Sequence, residues 1–336
     1  MLASALKSPL RVIRLITACF VPLVLVISGP RIARAQAQPS AIAFDRQGSV
    51  ATFKAGVEVV SVAAAVRDSR GRVVRDLRKA DFQVIDSGAP RDIRDFYAGE
   101  AAISLAILLD ISGSMAVGGN MDRARHAVTL VTAGLTGSGD EAGLYTFDAT
   151  LREVVGFTTD LTRIRSVNLE GRPWGTTSLY DAVANAARTV ADRANRHRAL
   201  LVITDGVDTA SQLTAPEVSG IAASIDVPVY LLTVVNPLDH PGGELSVVAA
   251  DGAGTSVATL ADLARWTGGD MHVASTPGHT VQAVRELFSE LRYQYLIVFE
   301  PDVRPGWHPL EIRPRNKNLT VHARGGYMSG PARSAY

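Results

Sequence analysis

Cysteine is nearly absent from this 336-residue chain: the single copy, Cys19, sits in an apolar stretch close to the start. Removal of that stretch on export would leave a mature chain with no disulfide, so stability has to come from the packed core and from any bound ion. Net charge is equally scarce. The formal value is +1, but residues 1–35 hold Lys7, Arg11, Arg14, Arg31 and Arg34 and no acid, so the remainder carries 29 basic against 33 acidic residues. A net charge of −4 argues against a nucleic-acid partner. Several catalytic signatures are also missing. There is no glycine-rich phosphate loop with a lysine and no Gly-x-Ser-x-Gly elbow. His126, His197, His272, His279, His308 and His322 show no His-x-x-x-His spacing, which disfavours zinc.

The first 35 residues read as a secretory signal. A basic start through Arg14, an apolar stretch from Leu15 to Ser28 and Ala33-Arg34-Ala35 before Gln36 follow the charged, apolar and Ala-x-Ala pattern. The apolar stretch is short for a membrane span. Cys19 lies only five residues after Arg14, with more apolar sequence behind it, on the wrong side for a lipidation site. The expectation is an exported protein, periplasmic, cell-surface or secreted, with no stable membrane span after cleavage; retention of the signal as an anchor is the alternative.

What remains is ordinary globular material, 47% hydrophobic and 20% charged, enough for one full domain and a smaller one. Ala124, Ala127, Val128 and Val131 keep helical spacing in the stretch from Met121 to Leu135. Strands are expected at 103–110, 143–147, 153–157, 200–204, 227–235 and 270–274, and helices at 121–135, 178–195, 215–225, 257–267 and 279–292. The strands 103–109, 200–203 and 229–235 are near-continuous apolar runs, as in a parallel sheet covered on both faces. The pattern predicts an α/β class: a doubly wound, mostly parallel six-stranded sheet flanked by helices, with 153–157 antiparallel at its edge. Segments before and after it are β-like, and neither alone can bury two sheet faces, so they are expected to pair into one small flanking β-sandwich. The expected organisation is a signal at 1–35, an N-terminal β segment at 36–98, the α/β domain at 99–292, a C-terminal β segment at 293–328 and a tail at 329–336.

The chemistry concentrates in ISLAILLDISGSM, residues 103–115. Its strand delivers the Asp110 carboxylate and the Ser112 and Ser114 hydroxyls to one short loop; GTTSLYDA adds Thr177 before a helix, and LLVITDG adds Asp205 at another strand end. Mg²⁺ prefers near-octahedral oxygen, keeps several waters and usually takes only one or two carboxylates. Three hydroxyls and two carboxylates satisfy that demand, and a dication balanced by two charges stays electrophilic. Mn²⁺ or Ca²⁺ fits the same oxygens. Each residue also has an ordinary explanation, because Ser and Thr cap helices, Asp181 can complete a capping box and Asp-Gly is a common strand exit. Right-handed crossovers bring the loops after strands 103–110 and 200–204 to one sheet edge, where the five oxygens meet.

Asp-x-Ser-x-Ser, Thr and Asp, in that order and setting, resemble the metal-ion-dependent adhesion site of the von Willebrand factor A domain family, over roughly residues 100–292. DSRGRVVRDLRKADFQVIDSGAPRDIRDF, LLDISGSM, YLIVFEP and VHARGGY together look like the related family of exported bacterial proteins. The resemblance implies a binding module whose metal engages an acidic side chain of a protein partner. The alternative is a Mg²⁺-dependent hydrolase or phosphoryl-transfer enzyme with Asp110 or Ser112 attacking and Asp148, Asp181 or Asp208 as base. Trp174, beside the Thr177 loop, is expected either to contact a partner or to pack on the sheet edge. A solvated helix end is expected at Arg193, Arg196 and Arg198. Asp239, His240 and Asp251, in the glycine-rich loop 236–256, are expected in a solvated insertion, with a second cation site the alternative.

Overall fold

The computed structural model describes residues 59–236 and 257–329. The predicted signal with Cys19, loop residues 237–256 with Asp239, His240 and Asp251, and residues 330–336 of the tail lie outside the described residues. The chain opens with β1 (Val60–Arg67), β2 (Phe82–Asp86), β3 (Ala89–Arg91) and β4 (Ile93–Tyr97). Next come β5 (Ile103–Asp110), α1 (Asn120–Gly134), β6 (Glu141–Phe147), β7 (Leu151–Thr158), α2 (Thr162–Arg165), α3 (Leu179–Ala191) and β8 (His197–Thr204). The series continues with α4 (Ala215–Ser224), β9 (Val229–Val234), α5 (Val257–Thr267), β10 (Met271–Ala274) and α6 (Pro277–Arg292). It closes with β11 (Tyr295–Phe299), β12 (Gly306–Pro314), β13 (Thr320–Ala323) and β14 (Gly326–Ser329).

Six strands form the α/β sheet in the order β10-β9-β8-β5-β6-β7. All neighbours run parallel except β7, antiparallel to β6 at the edge. Counted from β5 the order is 3-2-1-4-5-6, the doubly wound arrangement, whose topological switch point falls between β5 and β8. Burial of β5 explains its near-continuous apolar run, broken inside the strand only by Ser104. Ile103, Leu105, Ile107 and Leu109 enter one core with α1 and α6, while Ala106 and Leu108 enter the opposite core with α3, α4 and α5. Alternation delivers side chains to both faces, and here both faces are covered.

The flanking strands form two four-stranded antiparallel sheets, β13-β1-β11-β4 and β14-β12-β2-β3, each with two strands from either side of the α/β segment. Between them lies a third core, including Val62, Val66, Phe82, Val84, Tyr295, Phe299, Leu310 and Tyr327. Strand β14 escapes the sequence reading because glycines and a lone aromatic give it little pattern. A Cβ on Gly326 would lie 2.3 Å from the Trp307 ring, so only glycine lets β14 pair with β12 there.

Elsewhere the structure shifts boundaries for visible reasons. Strand β8 begins at His197 instead of Leu200 because Ile103 pairs with His197 and Ser104 with Arg198 in its register with β5. The expected solvated basic helix end is correspondingly replaced. Arg193 pairs with Glu141 at 2.6 Å and lies over the Phe157 ring, Arg196 lies over Tyr97, and Arg198 donates to the Ala191 carbonyl at 2.6 Å. Sandwich and α/β sheet meet through buried polar groups. Arg67 of β1 pairs with Glu290 of α6 at 2.6 Å and Asp270 at 3.0 Å, and the Arg324 guanidinium donates to the carbonyls of Ala223 and Ser61.

Candidate metal centre

The switch point gathers the loops that the sequence singled out. Asp110 ends β5 fully buried, and its Oδ1 accepts the Ser112 N–H at 2.8 Å. Its Oδ2 accepts the Thr204 hydroxyl at 2.6 Å, from the end of β8. The Ser112 and Ser114 hydroxyls lie 3.2 Å apart. Asp205 follows Thr204, and Gly206 after it takes φ +92°, a left-handed turn that glycine adopts without strain. The Thr177 loop joins by main chain: Gly113 N–H donates to the Gly175 carbonyl at 3.0 Å, and Trp174 N–H to that of Ile111 at 3.0 Å. Asp110, Ser112, Ser114 and Asp205 are thus coupled directly, while buried Thr177 enters on a backbone-locked loop.

Electrostatics make the site unusual. Burial pushes the Asp110 carboxyl up to about 6; hydrogen bonds from Ser112 and Thr204 oppose this, and the Asp205 charge adds to it. Burial also raises Asp205, against donation by the Ser114 hydroxyl and the Val207 N–H. Among the described residues neither carboxylate pairs with a basic side chain, and Asp205 Oδ1 is buried with no hydrogen-bond partner. Two close buried carboxylates are costly unless something positive compensates them. Hard oxygen donors of this kind fit a Mg²⁺-type ion.

The simple capping explanation for Thr177 and Ser178 gives way here. Ser178 makes no side-chain cap on α3. The free amides at that helix start are met from the next segment: Leu179 N–H donates to Asp208 Oδ1 at 2.7 Å and Tyr180 N–H to the Ser211 hydroxyl at 3.0 Å. Thr209 accepts the Thr177 N–H at 2.9 Å. Asp181 accepts from Gln212 and Leu213 N–H, both at 3.0 Å, and Asp148 from Thr150 N–H and Arg152. All three carboxylates weighed as general bases are therefore engaged in holding loops. Thr204, Thr209 and Ser211 were missed as contributors, and Asp208, weighed only as a base, holds the start of α3 instead; the run TDGVDTAS carried the signal, as a cluster of short oxygen side chains after a strand. Asp208→Ala is expected to destabilise the protein by about 0.5–2 kcal/mol, the cost of a lost helix cap, and to weaken Mg²⁺ affinity by loosening the Thr177 loop. Urea denaturation and calorimetric Mg²⁺ titration read the two effects separately.

Two further observations bear on ligands. Trp174 is 80% exposed, so it does not pack on the sheet edge. Outside this site the described residues hold one group of three potential ligands, Asp270, Glu290 and His322, within 4.8 Å of one another. No sequence spacing announces it, because three separate elements supply it. Arg67 already pairs with both of its carboxylates, so that cluster carries its own cation.

Residues 105–207 match the sequence model of the von Willebrand factor type A domain. No curated protein matches the sequence. Similar solved structures include an aerotolerance-related membrane protein from Bacteroides fragilis NCTC 9343, 19% identical over 56% of this chain and 98% of that one, with TM-score 0.44. The conserved hypothetical protein BatB from Bacteroides thetaiotaomicron is 20% identical over 56% and 98%, with TM-score 0.43. A von Willebrand factor type A protein from Catenulispora acidiphila is 11% identical over 83% and 76%, with TM-score 0.43. The family match spans β5 to the loop after β8, so residues 105–207 of this chain match a von Willebrand factor type A domain, with the candidate oxygens gathered at the switch point between those two strands.

Proposed function

We propose that the chain is an exported protein-binding module that holds a Mg²⁺-type ion on Asp110, Ser112, Ser114, Thr177 and Asp205 and engages an acidic side chain of a protein partner. The observation that carries this reading is the Asp205 oxygen, buried without a partner beside a second buried carboxylate that no basic side chain compensates. A bound divalent cation supplies an electrophilic centre that accepts a carboxylate oxygen from outside. The chain's own residues do the rest. Thr204 and the Ser112 amide orient Asp110, the Gly113 to Gly175 bond fixes the Thr177 loop, and Ser114 steadies Asp205. Export rests on the sequence of residues 1–35; among the described residues no helix is long and apolar enough to cross a membrane.

The test is thermal unfolding with and without Mg²⁺, together with retention of the protein on an immobilised peptide carrying one glutamate. Mg²⁺ is expected to raise Tm for the wild type and not for Asp205→Ala, and EDTA is expected to release the protein from the peptide. A Tm shift that survives Asp205→Ala sinks the ion assignment. Equal retention on a glutamine peptide sinks the acidic-partner assignment.

A further inference from the structure

Beside the candidate ion site lies an open recess of about 330 Å³, lined by Ser114, Val117, Gly118, Asn120, Asp205, Val207, Val234, Val235 and Asn236. Two of its walls are ion-site residues, Ser114 and Asp205, so whatever fills the recess sits next to a group bound at the ion. Four valines supply most of the remaining lining, beside Gly118 and the Asn120 and Asn236 amides, and it contains no aromatic ring and no charge other than Asp205. Val117 is 67% exposed and Val207 39%, and both stand on the loops that carry the ion-site residues. Gly118 and Gly119 follow Val117 at φ +58° and +75°, left-handed conformations that glycine adopts without strain. The recess also has a firm side. A Cβ on Gly118 would meet the Asn236 side chain at 3.2 Å, so the residue two positions beyond β9 packs closely on that loop.

We propose that this recess is a specificity subsite that takes a branched aliphatic side chain of the partner, placed near the acidic residue that reaches the ion. The inference rests on the function proposed above and narrows the partner to an acid flanked by an aliphatic residue. Continuity with the ion site argues for one ligand spanning both. The methyl lining argues for an aliphatic group, since burying it removes apolar surface of both molecules from water. In an extended peptide, side chains two positions apart share a face, so the matching ligand carries its aliphatic residue two positions from the acid.

The probes are three synthetic peptides measured against the full chain in Mg²⁺ and in EDTA: Leu-Gly-Glu-Gly-Leu, Ser-Gly-Glu-Gly-Ser and Leu-Gly-Gln-Gly-Leu. The symmetric design removes dependence on chain direction. The leucine–glutamate peptide is expected to bind about ten-fold more tightly than the serine–glutamate one, as for a half-buried leucine side chain, and only in Mg²⁺. Val117→Ser with Val207→Ser is expected to erase that difference, with a Mg²⁺ titration of the variant checking that the ion site is intact. Equal binding of the two glutamate peptides to the wild type overturns the subsite and leaves the ion-bridged function standing. Absence of Mg²⁺-dependent binding by either glutamate peptide overturns both. Binding of the glutamine peptide as tight as its glutamate counterpart identifies the recess as an apolar site independent of the ion, which also overturns the proposal.

Discussion

Replacing Arg67 by alanine is expected to lower the unfolding free energy by about 3–5 kcal/mol at neutral pH, the range for removing one partner of a buried ion pair. Glu290 is fully buried in the last turn of α6, and Arg67 reaches it from β1 at 2.6 Å while also pairing with Asp270. One Glu290 oxygen is already buried without a hydrogen bond. Without Arg67 the carboxylate would lose its guanidinium partner and keep the His322 ring, 3.4 Å away, in a site that water does not reach. The pH dependence makes the argument specific. Burial pushes the Glu290 carboxyl up, but His322 and Arg67 outweigh it and hold the group below the ordinary glutamate range. A depressed acid contributes stability that is present above its unfolded value and lost as pH falls through its folded value. In Arg67→Ala both Arg67 contributions are gone and only the His322 contact opposes burial, so the sign is expected to reverse: the variant should regain stability on acidification as Glu290 takes up a proton. Adding Glu290→Gln to Arg67→Ala should recover most of the loss. Urea denaturation from neutral to mildly acidic pH measures both effects, and a cost for Arg67→Ala under about 1 kcal/mol at neutral pH would show that the pair behaves as a solvated surface bridge.

Asp110→Asn is expected to act in opposite directions with and without metal. In EDTA at pH 7 it should stabilise the protein by about 1–3 kcal/mol, because a buried carboxyl raised from 3.8 to about 6 disfavours the charged form in the fold. The sign follows from linkage. A carboxyl raised by folding leaves the metal-free wild type most stable below about 3.8, and that advantage is lost as pH rises through about 6. The asparagine variant should show a flatter profile across that window. The substitution fits sterically, since the amide oxygen can keep the Ser112 N–H while the amide NH₂ donates to Thr204. In saturating Mg²⁺ the order is expected to invert. Binding to the native state stabilises by RT ln(1 + [L]/Kd), about 2.7 kcal/mol at a hundred-fold excess over Kd, and the variant should gain none of it. Thermal unfolding of both proteins with Mg²⁺ and with EDTA reads this directly. A variant less stable than wild type in EDTA that still responds to Mg²⁺ would remove Asp110 from the site.

Much of this was legible in the chain before any coordinates. Strand β5 and its loop stood out because a parallel strand buried on both faces must be continuously apolar, so the first polar residues after it mark the sheet edge. The same reasoning found β8 and Asp205. The edge strand β7 was legible as well, because Arg152 and Glu153 interrupt it, whereas β5 is unbroken from Leu105 to Leu109 and β8 from Ala199 to Ile203. Residues that act through main-chain geometry were harder to see. The Asp208, Thr209 and Ser211 cluster caps α3 across a gap of about thirty residues in sequence, and β14 forms around one glycine that makes room for Trp307. Neither leaves a periodic trace.

The sequence by itself determined the doubly wound sheet, the residues that end its central strands and the order of the candidate oxygens, because hydrophobic period and strand length are local properties of the chain. Only the tertiary structure decided which charges meet. Arg67, Asp270, Glu290 and His322 come from β1, the residue before β10, α6 and β13, and the recess beside the candidate ion site draws on three separate loops. Contacts between residues far apart in sequence depend on how the sheets pack and register, and no spacing along the chain encodes that distance.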